Sequence, residues 1–237
     1  MAELFGRETG YCKGKGGSMH IADMAKCNHL GANGIVGAGI PIATGSAMAS
    51  KIMGTDEVTL CFFGDGASSR GTFHEAVNLA ASWKLPVIYV CENNAWASTT
   101  RFDDIKNVDY LSERAQGYGI PGVTVDGNDV ESVRDASAKL IDRARRGDGP
   151  SILECKTYRR DGHFITDPQK YRSQEEVEES GNSTTTRLTG SGARSCSKAS
   201  SRRTTSTPRR SGSTRSSHRP VSYTHLRAHE TRSNLVC

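Results

Sequence analysis

The sequence has 237 residues, with 31 Lys and Arg against 26 Asp and Glu, a formal net charge of +5 and seven Cys. The charge is unevenly placed: from Ser180 onward there are eleven Lys and Arg and one acidic residue, Glu230, so positions 1–179 hold 20 basic and 25 acidic residues and carry about −5. That balance excludes a basic nucleic-acid face on the body; the absence of any CxxC pair argues against a zinc or disulfide framework and fits the reduced thiols of a soluble, cytoplasmic protein; and no stretch approaches the roughly 18 apolar residues of a membrane span.

After a Gly- and Lys-containing opening loop, residues 34–53 (GIVGAGIPIATGSAMASKIM) are apolar and rich in small residues, which predicts a closely packed, mostly buried helix. Residues 57–63 (EVTLCFF) have the length and composition of a buried strand, and the text then turns at Gly64-Asp65-Gly66. Thr72 to Trp83 reads as a helix with Phe73, Ala76, Val77, Ala80 and Trp83 on one face, and Pro86 opens a second apolar run, VIYVC. Asp109 to Tyr118 is helix-like and VTVDG is a short strand. Val130, Val133, Ser137, Leu140, Ile141 and Ala144 mark the inner face of a further helix, and Pro150 to Tyr158 is a last strand. Alternating helices and buried strands predict an α/β fold with a doubly wound, mostly parallel sheet. In such sheets ligands bind beyond the carboxyl ends of the strands.

Three groups stand at those ends: Gly64-Asp65-Gly66, Glu92-Asn93-Asn94 and Gly162-His163. Asp65 and Asn94 offer the hard oxygen ligands that Mg²⁺ requires, and the small residues Gly66 and Ala67 let backbone approach a phosphate. Taken singly, GDG reads as a tight turn and the Asn pair as a cap. Together, 28 to 29 residues apart with a strand, helix and strand between them, they resemble the thiamin-diphosphate motif of transketolases, pyruvate decarboxylases and 2-oxo acid dehydrogenases.

The resemblance extends from Met1 to Glu179: KGKGGSMH, GANGIVGAGIP, CFFGDGA, FHEAVNLAASWKLPVIYVCENN, YGIPGVTVDGNDV and GHFITDPQKYRSQEEVEE are similar to the alpha subunits of heterotetrameric pyruvate and acetoin dehydrogenases. It implies a thiamin-diphosphate-binding fold and a Mg²⁺ ion held by Asp65, the side chain of Asn94 and the backbone carbonyl of Trp96. Gly66 and Ala67 would face the diphosphate, and Gly34 and Val36 would lie toward the aminopyrimidine. His163 would be the catalytic loop residue over the diphosphate. The implied partners are a beta subunit in an alpha2beta2 heterotetramer, which supplies the activating glutamate, a lipoyl acyltransferase and a 2-oxo acid substrate. Pyruvate is the expected substrate and acetoin the alternative; a truncated binding module without turnover is the rival from another class.

The sequence departs from the family in three places. The stretch that precedes MAELFG in the family, with its Tyr and Arg diphosphate contacts, is missing, so residues 1–179 are expected to be an N-terminally truncated domain. The text after Asn94, AWASTTRFDD, differs from the family pattern. Residues 180–237 turn abruptly to Ser, Thr and Arg, read like a gene continued out of frame and end in adapter-like text; they are expected to be disordered.

Overall fold

The apolar runs form strands because both of their faces are covered. In the computed structural model, which describes residues 1–180 and the pair Tyr223–Thr224, a short helix α1 (Met24–Cys27) precedes α2 (Gly39–Met53), β1 (Thr59–Gly64), α3 (Gly71–Ser82) and β2 (Val87–Asn93). A two-stranded antiparallel hairpin follows, β3 (Trp96–Ala97) with β4 (Thr100–Arg101). The chain then passes through a 3-10 segment, Leu111–Tyr118, to β5 (Gly122–Asp126), α4 (Val130–Arg145) and β6 (Ser151–Lys156). The Tyr223–Thr224 pair is β7, and the other residues of 181–237, on which the expectation of a disordered tail falls, lie outside the described ones.

The sheet has the order β5-β6-β2-β1-β7, and every adjacent pair is parallel. Side chains alternate across it. Cys61, Phe63, Val87, Tyr89, Cys91 and Ile152 join Ile40, Ala43 and Ala47 of α2 and Phe73, Ala76, Val77 and Ala80 of α3 in one core. Leu60, Ile88, Val90, Leu153 and Cys155 join Leu140 and Ala144 of α4 in the other. Helices therefore cover both faces, which makes the sheet doubly wound, as the pattern predicts.

Three local expectations are corrected. The helix predicted over 34–53 is α2, and it begins at Gly39 rather than at Gly34, because Gly37 has φ +81, a left-handed conformation that a right-handed helix excludes. Its outer side carries exposed Ile42, Ile52 and Met53, so it is buried on one face only. Trp83 and Val130 are exposed, not core: Trp83 is the cap residue beyond the last turn of α3, and Val130 opens α4 in the turn held by its N-cap, Asp129, whose carboxylate accepts from Glu131 N–H at 3.1 Å.

Candidate functional site

The register brings the carboxyl ends of three strands level. Gly64 of β1 lies opposite Glu92 of β2, and Asn93 of β2 lies opposite Lys156 of β6. Asp65 follows β1 directly and is fully buried. Its Oδ1 accepts from Gly66 N–H at 2.8 Å, while its buried Oδ2 makes no hydrogen bond of normal geometry; the Ala95 amide, already bonded to Asn93, acts on the carboxyl only weakly. Burial is the dominant influence on this carboxyl and raises its pKa from 3.8 to about 6; the Gly66 amide and the Arg159 guanidinium pull it down, and nearby Glu154 opposes them. A buried carboxylate oxygen without a donor is costly unless something positive meets it, so Asp65 fits a cation.

The turn after β2 is built from two Asn side chains. Asn93 Oδ1 accepts from Ala95 N–H at 3.1 Å, and Asn94 Oδ1 accepts from Trp96 N–H, also at 3.1 Å. Between them Ala95 takes φ +71, a region that side chains other than Gly rarely adopt. This short hairpin packs on the Asp65–Ser69 turn. Ala67 and Ser68 of that turn are buried, and Ser68 Oγ donates to the Asp65 carbonyl at 2.6 Å. Asp65, Gly66, Ala67, Asn94 and Trp96 are therefore brought together.

The remaining expected residues lie on flanking segments. Gly34 is packed so closely on Met19 that a Cβ there would stand 2.8 Å from Met19 Cε, and Val36 is half-buried against the α2–α3 core. Gly37 carries this loop to the start of α3, where a Cβ would meet Arg70 Cγ at 3.1 Å. His163 is half-buried on the segment after β6; its backbone N–H donates to Asp167 Oδ2 at 2.7 Å, and its ring meets Phe164 edge-on.

Several residues that the sequence did not single out hold these parts in place. Arg159, buried just beyond β6, donates to the carbonyls of Trp96 at 3.2 Å and Ser98 at 2.7 Å, and to Tyr171 OH at 2.7 Å. Tyr171 OH in turn donates to Asp167 Oδ2 at 2.6 Å, so the His163 segment is tied to the hairpin. The Trp96 carbonyl keeps a second lone pair beside the Arg159 bond. Trp96 Nε1 donates to Glu176 Oε1 at 3.1 Å. Glu154 is wholly buried in β6, and a charged residue inside an apolar strand was the signal available for it. Among the described residues no group of three or more His, Cys, Asp or Glu side chains could hold a metal ion.

The model of the dehydrogenase E1 component family matches residues 1–188. The chain belongs to that family. It is 54% identical over 176 residues to the alpha subunit of an acetoin:2,6-dichlorophenolindophenol oxidoreductase of Bacillus subtilis, a match covering 74% of this chain and 53% of the relative. The corresponding subunit of Cupriavidus necator is 54% identical over 179 residues, covering 76% of this chain and 54% of the relative. The pyruvate dehydrogenase E1 component alpha subunit of Rhizobium meliloti is 48% identical over 178 residues, covering 75% and 51%. The chain thus spans about half the length of the curated relatives it matches. Among the described residues of this E1 chain, no helix is long and apolar enough to cross a membrane.

Proposed function

We propose that this E1-family chain is the alpha subunit of a thiamin-diphosphate-dependent 2-oxo acid dehydrogenase and carries the metal and diphosphate half of a shared active site. The observation that carries this reading is the buried Oδ2 of Asp65, which makes no hydrogen bond of normal geometry, at the carboxyl edge of the sheet in the turn on which the Trp96–Ala97 strand packs. Asp65 Oδ2, the second lone pair of Asn94 Oδ1 and the Trp96 carbonyl are the ligand set for Mg²⁺. Gly66 and Ala67 present backbone to the diphosphate, and Gly34 and Val36 line the aminopyrimidine side. His163 contacts the diphosphate from the 157–173 segment as the catalytic loop residue. Bound thiamin diphosphate supplies the nucleophilic carbon and electron sink for cleavage next to a carbonyl. What this chain contributes is binding and orientation, and the acid that activates the aminopyrimidine belongs to a beta subunit in an alpha2beta2 heterotetramer, which delivers the acyl group to a lipoyl acyltransferase.

Pyruvate remains the substrate expected from the sequence. A second reading, acetoin, is favoured by the higher identity to acetoin oxidoreductase subunits than to the pyruvate dehydrogenase subunit, 54% against 48%. The test is dye-linked oxidation of pyruvate and of acetoin with saturating Mg²⁺ and thiamin diphosphate, with and without a beta subunit from a relative. Turnover is expected only with the beta subunit, and the better substrate decides between the two readings. Robust turnover by the chain alone would withdraw the shared-site assignment, because acid–base assistance is worth about 10²- to 10⁴-fold and this reading assigns the activating acid to the beta subunit.

A further inference from the structure

Glu154 is fully buried in the middle of β6, where a carboxylate is costly unless each oxygen is met by donors. It is met by three. Its Oε1 accepts from Asn93 Nδ2 at 2.7 Å, and its Oε2 accepts from Ser112 N–H and from Thr124 Oγ1, both at 3.0 Å. The other end of the Asn93 amide, Oδ1, accepts from Ala95 N–H at 3.1 Å. A carboxylate accepts and a backbone amide donates, so only one orientation of the Asn93 side chain satisfies both neighbours. The reverse orientation would set oxygen against oxygen at Glu154 and N–H against N–H at Ala95.

From this geometry we infer that Glu154 is a positioning residue for the proposed metal site: by fixing the orientation of the Asn93 amide, it closes the turn that places Asn94 and the Trp96 carbonyl. The link runs through Ala95. Its φ of +71 is unfavourable for alanine and persists only where the surroundings over-determine it. The Asn93 Oδ1 bond to Ala95 N–H holds that conformation, and the next bond, Trp96 N–H to Asn94 Oδ1, follows from it. Glu154 thus acts on Asn94 across two hydrogen bonds without touching the proposed ion. This role rests on the metal-site reading above.

Reversing the polarity of the pair tests it. In Glu154→Gln the new NH2 meets a donor whichever way the amide turns, Asn93 Nδ2 in one orientation and Ser112 N–H in the other; in Asn93→Asp two carboxylates meet oxygen to oxygen. In the double variant the new glutamine donates to the new aspartate, whose second oxygen still accepts from Ala95, and every bond is kept with the net charge unchanged. Mg²⁺-dependent binding of thiamin diphosphate to the full chain is measured by calorimetry, with melting recorded in parallel and Asp65→Asn as a control. Each single variant is expected to bind about tenfold more weakly, and the double variant to return to within about threefold of wild type. Single variants that bind like wild type, whatever their melting temperature, overturn the role. So does a double variant that fails to fold or stays as weak as the singles. If Asp65→Asn also binds like wild type, the metal site itself is lost and the inference goes with it; if Asp65→Asn abolishes binding while Asn93→Asp and Glu154→Gln both keep it, only the inference falls.

Discussion

Removing divalent cations exposes the cost of burying Asp65. Its carboxyl is wholly buried, and desolvation lifts its pKa from 3.8 to about 6. Below pH 3.8 the group is protonated in both folded and unfolded chains and contributes no difference. Between 3.8 and 6 the unfolded chain gives up this proton while the folded chain keeps it, so the folded state binds more protons and stability falls as pH rises. Above about 6 the penalty is complete, at about 3 kcal/mol for a displacement of this size. The assay is urea denaturation in EDTA at intervals from pH 4 to 7.5, for wild type and Asp65→Asn. The substitution adds a buried amide group, but that cost does not depend on pH and leaves the comparison of slopes intact. Wild type should lose about 2.5 kcal/mol more than Asp65→Asn across the range, since a little of the penalty is already present at pH 4. Adding Mg²⁺ and thiamin diphosphate should flatten the wild-type slope alone. Parallel curves for the two proteins in EDTA would refute the reasoning, since the buried carboxyl would then carry no penalty for an ion to relieve.

Other substitutions probe the supports of the site. Arg159→Ala strips a donor from the Trp96 and Ser98 carbonyls and from Tyr171, and is expected to lower stability by about 2–3 kcal/mol in urea denaturation and to weaken Mg²⁺-thiamin diphosphate binding. Glu176→Ala removes the acceptor of both Trp96 Nε1 and Tyr158 OH, and should cost about 1–2 kcal/mol by the same measurement. Phe73→Ala empties a fully buried ring position between α3 and the sheet, where Phe63 packs at 5.6 Å, and should cost about 3–5 kcal/mol with the denaturant slope unchanged.

The parallel core was legible because its strands are covered on both faces: EVTLCFF and VIYVC are continuous apolar runs, and the structure places alternate residues of each in opposite cores. Asp65 and Asn94 stood out for a different reason, since each follows a strand end where such sheets bind ligands, whereas the expected part of Trp96 came from the family resemblance alone. Element boundaries were less so. The start of α2 depends on the positive φ of Gly37, and the exposure of Trp83 depends on where α3 stops, neither of which hydrophobic periodicity records. The charge of Glu154 inside an apolar strand was a signal, but what Glu154 and Arg159 hold was not legible, because their partners are far away in the chain. Glu154 meets Asn93 across 61 positions and Arg159 meets Trp96 across 63, and only the adjacency of β2 and β6 in the sheet brings them together.

The central claim is that this chain holds a Mg²⁺-diphosphate site through Asp65 and Asn94. Calorimetric titration of thiamin diphosphate into the full chain with and without Mg²⁺, repeated for Asp65→Ala and Asn94→Ala, tests it most directly. Asp65→Ala removes the anionic side chain among the proposed ligands and should abolish Mg²⁺-dependent binding. Asn94→Ala removes a neutral oxygen that water can partly replace, and should weaken binding less. Affinities unchanged from wild type in both variants would contradict the site.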